Sequence, residues 1–134
     1  MPEFTAARIE RTFVDDGGVT NHYYVWESGA PRAVVQIVHG IGEYATRYEP
    51  LAQALVAAGY AVYAGDYRGH GATGVGQWGG DLTRLGRLGP GGVRAVIRGL
   101  KQLRDIAHAD HPDAPIVLLG HSMGGAVAAR ASTG

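Results

Sequence analysis

Pro115-Ile116-Val117-Leu118-Leu119-Gly120-His121-Ser122-Met123-Gly124 is the stretch that decides how this chain is read. An apolar run long enough for a short strand meets G-x-S-x-G, and small residues follow: Gly125, Ala126, Ala128 and Ala129. A strand, a tight turn and a small-residue helix in that order make a nucleophile elbow. A serine hydroxyl is a weak nucleophile until it is held, exposed, beside a base. The sharp turn lifts it above the sheet, and glycine at each end lets backbone pass without a Cβ clash. The helix start adds N–H groups that face developing negative charge.

Two further apolar runs lie upstream, at residues 33–39 and 60–66. Short, nearly continuous runs of this kind suit strands covered on both faces, as in a parallel sheet. Helical patterns separate them. Pro50 opens one, with Leu51, Ala54, Leu55 and Ala58 as its apolar face and Gly59 as its stop. Residues 91–108 form the other, with Val93, Val96, Ile97, Leu100, Leu103 and Ala107 on one side and Arg94, Arg98 and Lys101 on the solvated side. Residues 5–14 and 21–27 read as an antiparallel pair joined by the turn Asp15-Asp16-Gly17-Gly18. Residues 67–90 read as a long loop. The expected fold is therefore α/β, with a mostly parallel sheet, an antiparallel N-terminal pair and flanking helices.

Composition narrows the function. The chain has 134 residues, 46% of them hydrophobic, with formal net charge +0 and no cysteine. That is enough for one domain with a core. It excludes disulfides and thiolate metal sites, and nothing in the charge balance points to nucleic acid or an anionic membrane surface. No run approaches a membrane span or the core of a signal peptide, so a cytoplasmic protein without a stable membrane anchor is expected.

Three other clusters carry candidate chemistry. His39-Gly40-Ile41-Gly42-Glu43 closes the first apolar run. Alone it is a strand-end turn with a core histidine; beside an elbow it reads as functional. Asp66-Tyr67-Arg68-Gly69-His70-Gly71 closes the second. Asp66, Arg68 and His70 read as a polar network bracing the loops, with a charged surface turn as the alternative. His70 as catalytic base is the weaker reading, because sequence cannot bring its ring to Ser122. Gly74-x-Gly76-x-x-Gly79 matches a dinucleotide fingerprint by letter, but neither directly follows a strand nor clearly opens a helix, so a flexible loop is expected. His108 and His111 have loose metal spacing at a helix end with no acidic partner in place, and no metal is expected. His22 is expected to pack in its strand and Trp26 in the core.

Taken together, these segments resemble an α/β-hydrolase of the monoacylglycerol lipase and lysophospholipase type, a group that includes serine aminopeptidase-like sequences. The resemblance rests on His39–Glu43, Arg47-Tyr48, Gly59-Tyr60, Asp66-x-Arg68-Gly69-His70-Gly71 and Gly120–Gly125, in the family's order over residues 22 to 130. Thr73 stands where the family often has Ser. The resemblance implies that strand 33–39 lies between the other two. It implies Ser122 as nucleophile, with the Ile41 and Met123 backbone N–H groups as oxyanion donors. His39, Gly40, Asp66, Arg68, His70 and His121 would support them. It further implies a small acyl ester as substrate and no cofactor.

In that fold the triad acid and base follow the serine. Only twelve residues follow Ser122, none of them His, Asp or Glu. The 134 residues are thus expected to be the N-terminal half of one domain, inactive alone, with strand 115–119 an exposed edge prone to self-association. A non-catalytic, partner-binding remnant and a peptidase or amidase of the same fold remain alternatives.

Overall fold

Alternation within the strands generates the layers. The computed structural model describes residues 6–121 and 123–132. Its strands are β1 (Arg8–Val14), β2 (Thr20–Trp26), β3 (Val34–Val38), β4 (Ala61–Gly65) and β5 (Ile116–Gly120). Its helices are α1 (Glu49–Ala57), α2 (Gly71–Gln77), α3 (Gly92–Asp110) and α4 (Met123–Ser132). The sheet order is β1-β2-β4-β3-β5. β3 pairs in parallel with both β4 and β5, Val35 lying level with Val62 and Val117, so β3 takes the central place expected for it. β1 and β2 form the expected antiparallel hairpin, and β2 joins β4 antiparallel.

Side chains on one face (Tyr24, Trp26, Val35, Ile37, Val62, Ala64) pack with Ala45 and with Ala52, Leu55 and Val56 of α1. On the other face, Tyr23, Val25, Val34, Ala61 and Tyr63 meet Leu103 and Ala107 of α3. Val38 meets Val96 and Leu100 of α3 together with Val127, Ala128 and Ala131 of α4. Burying one such large side chain contributes about 1.5–3 kcal/mol. Trp26 is fully buried, and its indole N–H donates to Glu49 Oε2 at 2.6 Å, satisfying the polar edge that burial would otherwise strand.

The structure corrects four expectations. Residues 67–90 are not one long loop: they contain α2 and a 3-10 turn at Leu82–Arg84. Gly74 and Gly76 of the fingerprint-like stretch therefore lie in a helix. The Gly74 N–H donates to His70 O at 2.9 Å, so it is spent on helix structure rather than on a phosphate cradle. α1 presents Ala52, Leu55 and Val56 to the sheet, whereas Leu51, Ala54 and Ala58 are exposed, because the helix docks on β2 and β4 along its i, i+3, i+4 row from Ala52. In α3, Val93 in the first turn is exposed, whereas Ala95 and Gly99, outside the expected apolar face, are buried. Finally, β5 is covered on one face only. Ile116 and Leu118 pack beneath α3 and α4, while Val117 and Leu119 are bare. α1 rests on β2 and β4, too far along the sheet to reach them.

Two glycines set the turn from β5 to α4. A Cβ on Gly120 would stand 2.5 Å from Gly124 O and 2.6 Å from Gly125 Cα, and one on Gly124 would collide with the carbonyl oxygens of Val38 and His39. Gly76, inside α2, has open space at its Cβ position. Gly124→Ala should therefore cost about 1–3 kcal/mol by forcing backbone apart. Gly76→Ala should gain about 0.5–1 kcal/mol from helix propensity. Urea denaturation midpoints of the two variants should move in opposite directions.

Candidate active site

The loop leaving β3 holds its backbone donors in an ordered way. Gly40 N–H donates to Glu43 Oε1 at 2.7 Å, Gly42 N–H to His70 Nε2 at 3.0 Å, and Ala45 N–H to Asp66 Oδ1 at 2.7 Å. Glu43 N–H closes a turn onto Gly40 O at 3.2 Å. Among the described residues, Ile41 N–H is the one donor of Gly40–Glu43 without an acceptor, and the Ile41 side chain is exposed. Glu43 also accepts from Tyr48 Oη–H at 2.8 Å, and lies 3.4 Å from Arg47 Nε and 3.3 Å from His121 Nδ1. The Tyr48 hydroxyl above all, with Gly40 N–H, His121 and Arg47, holds its carboxyl at about 2.

His39 is buried at the end of β3, stacked on Tyr67 at 4.0 Å. Its Nδ1 donates to Gly40 O at 2.8 Å and its Nε2 accepts from Tyr67 N–H at 3.4 Å. Burial pushes its imidazole below the ordinary histidine range, and neighbouring His70 pushes the same way.

The segment after β4 is buried, so the alternative of a charged surface turn falls away. Asp66 accepts from Ala45 N–H, from Ala72 N–H at 3.0 Å and, more loosely, from Tyr24 Oη–H at 3.4 Å. Arg68 meets both oxygens of Asp15, Nε at 3.0 Å and Nη2 at 2.9 Å, and donates from Nη1 to Pro90 O at 2.7 Å. Burial alone would raise the Asp15 carboxyl. The Arg68 guanidinium, Asn21 and Val19 N–H instead hold it at about 2. Thr73 Oγ1 accepts from His22 N–H at 2.8 Å, a bond that a serine there could also accept.

Of the expected site residues, His39, Gly40, Ile41, Asp66, His70 and His121 come together around the β3 loop. Arg68 belongs to the same brace but faces the β1–β2 turn instead of Asp66. Ser122 lies outside the described residues. Met123 begins α4, where a first-turn N–H has no intrahelical acceptor. His121 N–H donates to Val38 O at 3.2 Å, and Gly124 rests on the end of β3, so the start of α4 adjoins the His39–Glu43 loop.

Sequence reasoning missed Asp15, read only as a turn residue. It does cap that turn through Gly17 and Val19 N–H, but its carboxylate is also the counter-ion of Arg68. No sequence signal pointed to the pair, because the burial of Arg68, which demands a counter-ion, is set by the fold. His111 is also better placed than expected: its Nε2 lies 2.7 Å from Glu27 Oε2. His22 is partly exposed, 2.9 Å from Glu10.

A parallel β3–β4–β5 core with a glycine-bounded turn from β5 into α4, beside the loop of the central strand, defines a partial α/β-hydrolase fold. The chain belongs to the serine aminopeptidase, S33 family, whose pattern matches residues 29–133. It is 40% identical over 124 residues to a monoacylglycerol lipase of Mycolicibacterium smegmatis, covering 92% of this chain and 41% of that protein. It is 39% identical over 100 residues to mouse monoglyceride lipase, covering 75% and 30%. A lipase solved in its open form superposes with a TM-score of 0.83 at 34% identity, covering 96% of this chain and 40% of that one. The chain thus spans about two fifths or less of the length of each. Among the described residues, no helix is long and apolar enough to cross a membrane.

The buried polar cluster makes stability depend on pH with a definite sign. His39, disfavoured as a cation in the fold, binds its proton more readily when unfolded, so stability is full above about 6.5 and falls as pH drops below it. Asp15 and Glu43, both held at about 2, add a second loss as pH falls from about 4 towards 2. Urea midpoints measured from pH 8 to pH 5 should decline in the parent chain and decline less in His39→Gln.

Proposed function

We propose that the chain carries the nucleophile and oxyanion half of a serine ester hydrolase acting on monoacylglycerol- or lysophospholipid-like esters. The observation that carries this is the Ile41 N–H. Between Gly40 on one side and Gly42 and Glu43 on the other, whose N–H groups all have protein acceptors, a donor without one, adjoining the first turn of α4, suits a developing oxyanion. Ser122 Oγ attacks the ester carbonyl carbon and its proton passes to a base. The carbonyl oxygen becomes an oxyanion between Ile41 N–H and Met123 N–H, and the C–O bond to the alcohol breaks to leave an acyl-serine. The step needs no cofactor. Esters are favoured over peptides because the relatives named above are lipases, although the family's description is that of an aminopeptidase.

The base is the weak point of these 134 residues. Both ring nitrogens of His39 and of His70 are engaged, and no His, Asp or Glu follows Ser122. The isolated chain should accept a fluorophosphonate at Ser122 and turn over a short p-nitrophenyl ester only slowly, both faster with imidazole added as an external base, and Ser122→Ala should abolish both. Ester turnover that survives Ser122→Ala would reject the nucleophile assignment.

We also propose self-association through β5, an edge strand with bare Val117 and Leu119 and neither Pro nor charge between Ile116 and Gly120. Such edges template pairing. Sedimentation velocity should find the parent chain associated and the Val117→Lys/Leu119→Lys variant shifted towards monomer.

A further inference from the structure

The geometry points to His70 as a positioning residue for the Ile41 oxyanion donor, an inference that rests on the ester-hydrolase reading. His70 is buried at the start of α2. Its Nδ1 lies 3.0 Å from Arg68 O, which can only accept, so Nδ1 carries the proton. Its Nε2 lies 3.0 Å from Gly42 N, which can only donate, so Nε2 presents a lone pair. The two partners select a single neutral tautomer and leave neither nitrogen for substrate.

The frame behind the ring is rigid. Arg68, whose carbonyl receives Nδ1–H, is tied by its guanidinium to Asp15 and to Pro90 O. The ring stands edge-on to Tyr67 at 4.6 Å and is tilted against His39 at 5.1 Å. Through this frame the imidazole fixes the peptide between Ile41 and Gly42. The Glu43 carboxylate fixes the peptide between His39 and Gly40. The Gly40–Ile41 peptide is thereby bracketed on both sides, and its N–H is the one left without a protein acceptor. His70 thus acts on the reaction without touching substrate: it holds in place a donor whose value depends on being preorganised.

The test compares the parent chain with His70→Leu, which removes the acceptor, and His70→Gln, which restores one at similar reach. Amide hydrogen exchange is resolved at Ile41 and Gly42 and at Val35 and Ile37 in the core of β3, alongside the rate of fluorophosphonate labelling at Ser122. His70→Leu should speed exchange at Gly42 at least tenfold while Val35 and Ile37 stay unchanged, and His70→Gln should recover part of the protection. Labelling should fall in His70→Leu by at least tenfold, up to the ~10²–10³ expected for outright loss of an oxyanion donor, with partial rescue by Gln. Unchanged Gly42 exchange in His70→Leu overturns the proposal. So does equal acceleration throughout β3, which would mark a merely structural role, or unchanged labelling in a parent chain that labels. If the parent chain takes no label even with imidazole added as an external base, yet Gly42 exchange responds locally, the nucleophile reading fails and the hold of His70 on the loop stands.

Discussion

The backbone of α4 lies directly on the carbonyl oxygens that end β3, at Gly124, with no room for a side-chain carbon between them. This approach joins two segments far apart in sequence. It brings the start of α4 to the loop that carries Ile41, and it requires β5 to run beside β3 so that the turn after Gly120 emerges at the same end of the sheet. The second close contact, Gly120 against Gly124 and Gly125, makes the turn tight enough to meet that requirement. The site is therefore a consequence of strand order, with β3 central and its C-terminal end shared by its neighbours.

Around that junction the protein buries an unusual number of polar groups. Asp15, His39, Asp66, Arg68, His70 and Thr73 are all nearly inaccessible. Each has hydrogen-bond partners, as low-dielectric surroundings demand. Their bonds tie the β1–β2 turn, the β3 loop, the start of α2 and the approach to α3 into one body. Among the described residues, two buried side-chain atoms lack a hydrogen-bond partner, Gln36 Oε1 and Tyr67 Oη. Gln36 is half satisfied through its Nε2 bond to Leu100 O at 3.0 Å. Breaking one member of such a network leaves a buried polar group or charge uncompensated, which is costlier than the bond was favourable.

The hydrophobic layers are uneven in the opposite sense. β2, β3 and β4 are covered on both faces, whereas β5 is covered only by α3 and α4. The polar site is thus rigid on the side of β4 and α2, and rests on a half-covered edge strand on the side of β5.

Local signals were strong enough to read most elements from residues alone. The apolar runs, the Asp15–Gly18 turn, Pro50 and the G-x-S-x-G turn all act through near neighbours, and so appear as composition and spacing. α2 was lost because Gly71, Gly74 and Gly76 take three of its seven positions, and the other four could not outweigh them on propensity. The helix is held instead by Asp66 receiving Ala72 N–H and by Thr73 receiving His22 N–H, bonds made across the fold. The inward row of α1 was misjudged for a related reason: which apolar residues of a short helix face the sheet depends on how the helix is docked. The sequence by itself determined the class of the fold, the passage from β5 into α4 and the loop beside it, because glycines, apolar periodicity and turn residues are local constraints on the backbone. Only the tertiary structure decided that Asp15 is the partner of Arg68, that His70 holds Gly42 and that Ile41 N–H is left without a protein acceptor. Those facts depend on distances between segments up to 53 residues apart, which packing sets and no local pattern encodes.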